Sequence, residues 1–218
     1  MNKFTLIAVS LIFMLITPAL VVAASPDYTV HVKKGDWIKY NVKETGTPTP
    51  EFNITWGRMD IKSVEGEAIH TDVLTGYANG TVYPENDITL NIATGAIGDG
   101  FFIPINLQPG DKYNSGYEGN ITITGFEQIE AGGAQRTVIT GDANQTTYYW
   151  DKQTGIMVAA TSNLPGCTMF TTTGATNLWQ PQILSLDSNV FYGIIVALVI
   201  ILVSFAAILV WMKRRQKN

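Results

Sequence analysis

Two long apolar runs bracket a middle in which apolar and polar residues change places every one or two positions. From Trp37 to Val42 and from Asn120 to Thr124 the apolar residues fall on alternate positions, the period that turns every second side chain to the same face of a strand. Thr, Tyr, Trp, Val and Ile fill such stretches and Gly and Asn separate them, which is the composition of strands and tight turns. Nowhere in the middle does a segment longer than a turn or two carry apolar residues at helical spacing. The pattern predicts an all-β domain of about ten to twelve short strands. Strands this short, mostly joined by hairpins, pair antiparallel. They bury one face by curling into a single curved sheet or by stacking as a β-sandwich, and the local pattern leaves both open.

Compared with itself, the middle repeats. Residues 73–83 read VLTGYANGTVY and residues 138–148 read VITGDANQTTY, with seven of eleven positions identical. At the same offset Ile61, Val64 and Glu65 face Phe126, Ile129 and Glu130. Farther upstream Asn53–Ile54–Thr55 meets Asn120–Ile121–Thr122, and Gly35–Asp36 meets Gly110–Asp111. Matches in the same order predict two duplicated meanders, copy 1 over about 30–104 and copy 2 over about 105–179. Asn79–Gly80 and Asn144–Gln145 are placed at equivalent hairpin tips, where such residues supply positive φ. Asp151 to Gly155 reads as one more hairpin turn.

The apolar ends set the organisation of the chain. Lys3, the apolar stretch 4–16, Pro18 and small residues up to Ala24 form a secretory signal over residues 1–24. Residues 190–212 contain no charge and would extend about 35 Å as a helix, enough for a hydrocarbon core of about 30 Å. Phe191 and Tyr192 lie at one end of this run and Trp211 at the other. Lys213, Arg214 and Arg215 follow at once, which puts the 213–218 tail in the cytoplasm. Residues 25–180 are then the extracytoplasmic β domain and 181–189 a short stalk. The expected location is the cell membrane, single-pass, with the domain outside.

Charge sharpens this picture. All eighteen acidic residues lie between Asp27 and Asp187 with only nine bases, so that stretch carries a net −9. Such a domain is a poor match for nucleic acid or anionic headgroups. The lone Cys167 excludes an internal disulfide, so the domain depends on its own core.

Candidate chemistry is sparse. His31 and His70 have no second ligand at zinc spacing, no G-x-S-x-G elbow or phosphate loop occurs, and no loop has the acidic alternation of a calcium site. The expectation is therefore no catalytic residues, no metal and no cofactor. Four Asn-x-Thr sequons, at Asn53, Asn79, Asn120 and Asn144, are glycosylation candidates. The most apolar run of the domain holds Phe101, Phe102, Ile103 and Ile105. It reads as a core or edge strand between the copies, with Pro104 at an edge, or as an apolar contact or pocket lip.

Gly35–Asp36–Trp37, Phe102–Ile103–Pro104 leading to Pro109–Gly110–Asp111, residues 150–156 (WDKQTGI) and Asn177–Leu178–Trp179 resemble a pattern in uncharacterised archaeal single-pass surface proteins with a Thr/Asn-rich β ectodomain. That resemblance implies an archaeal envelope setting and glycosylation of the sequons. The Trp–Asp–Lys–x–Thr–Gly hairpin is also similar to that of LolA-like curved-sheet lipid carriers, although no helix is predicted to line the sheet. The first expectation is an anchored, non-catalytic binding or structural domain whose partners are other envelope proteins or glycans. The alternative is a membrane-tethered carrier or sensor of a lipid or other apolar ligand, which requires an apolar cavity on the concave face. A surface hydrolase stands third.

Overall fold

The computed structural model describes residues 28–47, 53–98, 100–116 and 119–181, with Gly193 and residues 195–201 beyond them. Four strands form a first meander: β1 (Trp37–Gly46), β2 (Ile54–Glu65), β3 (Ala68–Tyr77) and β4 (Val82–Asn91). Six form a second: β5 (Lys112–Ser115), β6 (Gly119–Ala131), β7 (Ala134–Ala143), β8 (Thr146–Asp151), β9 (Met157–Leu164) and β10 (Cys167–Thr176). The two meanders join through the antiparallel pair β1–β10. One ten-stranded sheet results, in the order β4-β3-β2-β1-β10-β9-β8-β7-β6-β5. Of the two arrangements open to the sequence, the chain adopts the single curved sheet.

Curvature leaves β4 and β5 as the two edges, and the link between them, residues 92–111, must cross from one to the other. It does so over the inner face. Ile92, Ile97, Phe102, Ile103 and Leu107 are all buried there. Phe102 bridges Ile156, the Ile103 amide donates to Gly155 O (3.0 Å), and the Met157 amide donates to Phe101 O (2.8 Å). The two edges are tied as well: Gly116 N–H donates to Gly95 O (2.7 Å), and the Tyr113 hydroxyl donates to Ile92 O (2.6 Å). The run around Phe101 is therefore a strap across the sheet, with one isolated bridge in place of a strand.

Turn chemistry follows the sequence closely. Gly35 N–H donates to Ile61 O and Ile61 N–H to Asp36 O; Gly110 N–H donates to Ile123 O and Ile123 N–H to Asp111 O. The carboxylates of Asp36 and Asp111 each accept a backbone N–H from three residues earlier, Lys33 and Gln108, both at 2.8 Å. The two Gly–Asp turns thus make the same bonds, and these match Ile61 with Ile123 rather than with Phe126, which stands at the sequence offset. Asn144 sits at φ 50° and Gly80 at φ 86°, the left-handed region that their hairpin tips demand. In the β8–β9 turn Asp151 Oδ1 accepts from Gln153 N, Thr154 N and Thr154 Oγ1.

The core lies between strap and sheet, around Ile38, Met59, Ile121, Ile139 and Trp150. Among the described residues every member of this core lies between Tyr28 and Trp179, so residues 28–181 have the makings of an independent folding unit. Cys167 is buried and free at the start of β10. The expected signal segment 1–24 and most of the expected stalk, membrane helix and tail within 182–218 lie outside the described residues. Residues 195–201 are helical and expose Ile195, Val196, Leu198 and Val199. Among the described residues no helix is long and apolar enough to cross a membrane.

Candidate functional site

Alternation along the strands decides which side chains enter the concave face. Tyr40 and Val42 of β1, Met59 of β2, Val73 and Thr75 of β3 point inward, as do Tyr148 of β8, Met157, Ala160 and Ser162 of β9, and Met169 and Thr171 of β10. The strap fills one part of this face and leaves the other open. The remaining space is a pocket of about 590 Å³ whose wall on the strap side is Phe101. Its floor is buried: Tyr40, Met59, Tyr148 and Met157. Its rim is exposed at Asn144, Gln145 and Pro165, on the tips of the β7–β8 and β9–β10 hairpins. Burial thus deepens from hairpin tips to floor. The lining is chiefly apolar, with Thr75, Thr146, Ser162 and Thr171 as hydroxyl carriers. The charged member, Arg58, is held by both carboxylate oxygens of Asp60 (2.7 and 2.8 Å) and lies over the Trp37 ring.

Tyr40 and Tyr148 each bring a phenol to the floor; that of Tyr40 is fixed by the backbone of β9. The Tyr40 hydroxyl donates to Met157 O at 2.8 Å, and its ring centroid is 6.2 Å from that of Phe101. Burial pushes the Tyr40 phenol far above its ordinary value; Tyr113 moves the same way, by burial first and the nearby Tyr28 second. In the folded state both phenols keep their protons where an unfolded chain would lose them. The stability they contribute is complete below about pH 10, the free phenol value, and is lost as pH rises above it. Alkaline titration followed by tyrosinate absorbance and circular dichroism is expected to show these phenols ionising only as the sheet unfolds. Tyr40→Phe is expected to lower stability by about 1–3 kcal/mol, since the buried Met157 carbonyl loses its donor. Gradual ionisation within an intact fold would contradict this.

The residues singled out by sequence fall in different places. Phe101 lines the pocket; Phe102 and Ile103 are buried in the core, and Ile105 is half-buried beyond them. Asn53, Asn79, Asn120 and Asn144 all have exposed side chains, and only Asn144 is at the pocket. Trp150 and Trp179 are buried, whereas Trp37 and Trp56 lie half-buried beneath Arg58 and Lys39. Among the described residues no group of three or more His, Cys, Asp or Glu side chains is arranged to hold a metal. The floor residues Met59 and Met157 and the wall residue Met169 were not separable from core by sequence. The available signal was three flexible thioethers on strands otherwise rich in β-branched residues, and such side chains adapt to irregular apolar contacts.

No protein-family model matches the chain, and no curated protein matches it. Among solved structures, lipoprotein LppX of Mycobacterium tuberculosis is similar over 66% of this chain and 87% of its own, at 16% identity and a TM-score of 0.32. A likeness that slight carries neither a ligand nor a mechanism.

Proposed function

We propose that the protein is a membrane-tethered carrier or sensor of a lipid or other apolar molecule, held in the concave pocket of its curved sheet. The observation that carries this reading is the pocket itself, about 590 Å³ with a buried apolar floor and a rim at exposed hairpin tips. Sites for small molecules occupy about 300–1,000 Å³ and combine mostly apolar walls with a few polar groups. A purely structural domain would gain stability by filling that space, since unfilled apolar volume forgoes dispersion contacts. The pocket therefore favours a ligand carrier over a structural or purely protein-binding envelope module.

The tether rests on sequence: the charge-free run 190–212 and the basic residues after it.

Residues 28–181, prepared without detergent, are expected to bind Nile red at one saturable site with a blue shift in emission. Ala160 stands across the ladder from Tyr148 and Thr171 on the pocket wall. Ala160→Phe places a ring in the cavity and is expected to weaken binding at least about tenfold, equivalent to about 1.4 kcal/mol, with the unfolding midpoint nearly unchanged. Absence of saturable binding, or equal binding by the plugged variant, would remove the carrier reading.

A further inference from the structure

The β1 alternation that sends Tyr40 and Val42 into the pocket continues to Glu44. Between Tyr40 and Gly46 the β1–β10 register is unbroken, and Glu44 stands directly across from Met169, a lining residue. Glu44 is therefore on the pocket's face, next to its wall and toward its rim. Its Oε1 is buried and has no hydrogen-bond partner, the one such side-chain atom among the described residues. Elsewhere buried carboxylate oxygens are satisfied: those of Asp151 take Arg136 and three donors of the β8–β9 turn. A carboxylate oxygen withdrawn from water without a donor is costly, and proteins retain such groups mainly where something else supplies the partner.

Resting on the carrier reading above, we propose that Glu44 is the head-group anchor of the pocket, and that the occupant is an amphiphile with a hydrogen-bond-donating, cationic amine head on an apolar body. The apolar body lies over Met59, Met157 and Phe101, and the amine reaches Glu44 beside Met169. A charged donor on a carboxylate gives a shorter and stronger bond than a neutral pair, which favours an amine over an alcohol. Among the described lining residues the one cation is Arg58, already held by Asp60 in an acidic domain, so an anionic head meets no uncommitted counter-ion there.

The test is displacement of Nile red from residues 28–181 by dodecylamine, dodecanol and dodecanoic acid, each below its aggregation concentration. The wild-type chain is expected to bind the amine about tenfold more tightly than the acid, with the alcohol between. Glu44→Gln keeps the shape and is expected to bring amine and acid within about threefold, whereas Glu44→Lys is expected to reverse the order. The wild-type order decides the matter even if a variant folds poorly. Equal affinities, or an acid that binds tightest, would overturn the Glu44 anchor and leave the carrier reading intact. Failure of Nile red and all three amphiphiles to bind would overturn both.

Discussion

Replacing Trp150 by alanine is expected to lower the unfolding free energy by about 3–5 kcal/mol, the range for deleting a fully buried large aromatic side chain. Trp150 has no exposed surface and stacks on Tyr148 at 5.1 Å between ring centroids. Its indole N–H donates to Gly100 O at 2.6 Å, which fastens the strap to β8. Trp150→Phe keeps most of the apolar contact but strands the Gly100 carbonyl, and is expected to cost about 1–3 kcal/mol. Because Phe101 follows Gly100, both changes are expected to loosen the pocket wall as well as the core. Denaturant unfolding of the two variants, with Nile red binding measured on each, checks the stability order and its coupling to the pocket. A phenylalanine variant as unstable as the alanine variant would mean that the hydrogen bond, rather than the buried area, dominates.

Asp151→Ala is the second large loss, again about 3–5 kcal/mol, the usual cost of leaving one member of a buried ion pair alone. The Asp151 side chain has no exposed surface; its Oδ2 takes the Arg136 Nε at 2.8 Å and its Oδ1 holds the β8–β9 turn. Arg136 in turn bonds Gln153 Oε1 (2.7 Å) and lies over the ring of Trp179, whose indole N–H donates to Ala131 O. One carboxylate thereby joins the β8–β9 turn, β7 and the segment after β10. Asp151→Asn retains an acceptor for the turn while giving up the charge pair, and is expected to fall between wild type and alanine. Denaturation midpoints of the three proteins test this order; an alanine variant within about 1 kcal/mol of wild type would contradict it, since surface pairs contribute no more than that.

The parts legible in the sequence are those determined locally. Asp151 to Gly155 reads as a turn because Asp caps the amides after it and Gly accepts positive φ, and both do so in the fold. Asn79–Gly80 and Asn144–Gln145 mark their hairpins for the same reason. The choice between one curved sheet and a sandwich was not legible, because inward–outward alternation is identical in both. It was decided by β1 pairing with β10, residues far apart in the chain. The strap was hidden for a related reason. Phe101 to Ile105 has strand-like composition, and only the meeting of the two sheet edges makes that segment a crossing. The pocket is still less visible, since Met59 and Met157 would be equally apolar in a filled core. Glu44 carries no sequence signal of its own; only the β1–β10 register places it across from Met169.

Native mass spectrometry of the protein isolated from its source tests the central claim most directly. The carrier account predicts one additional apolar molecule per chain, lost on organic extraction and absent from the Ala160→Phe variant. A bare polypeptide, or one carrying only glycan masses on Asn53, Asn79, Asn120 or Asn144, would contradict it.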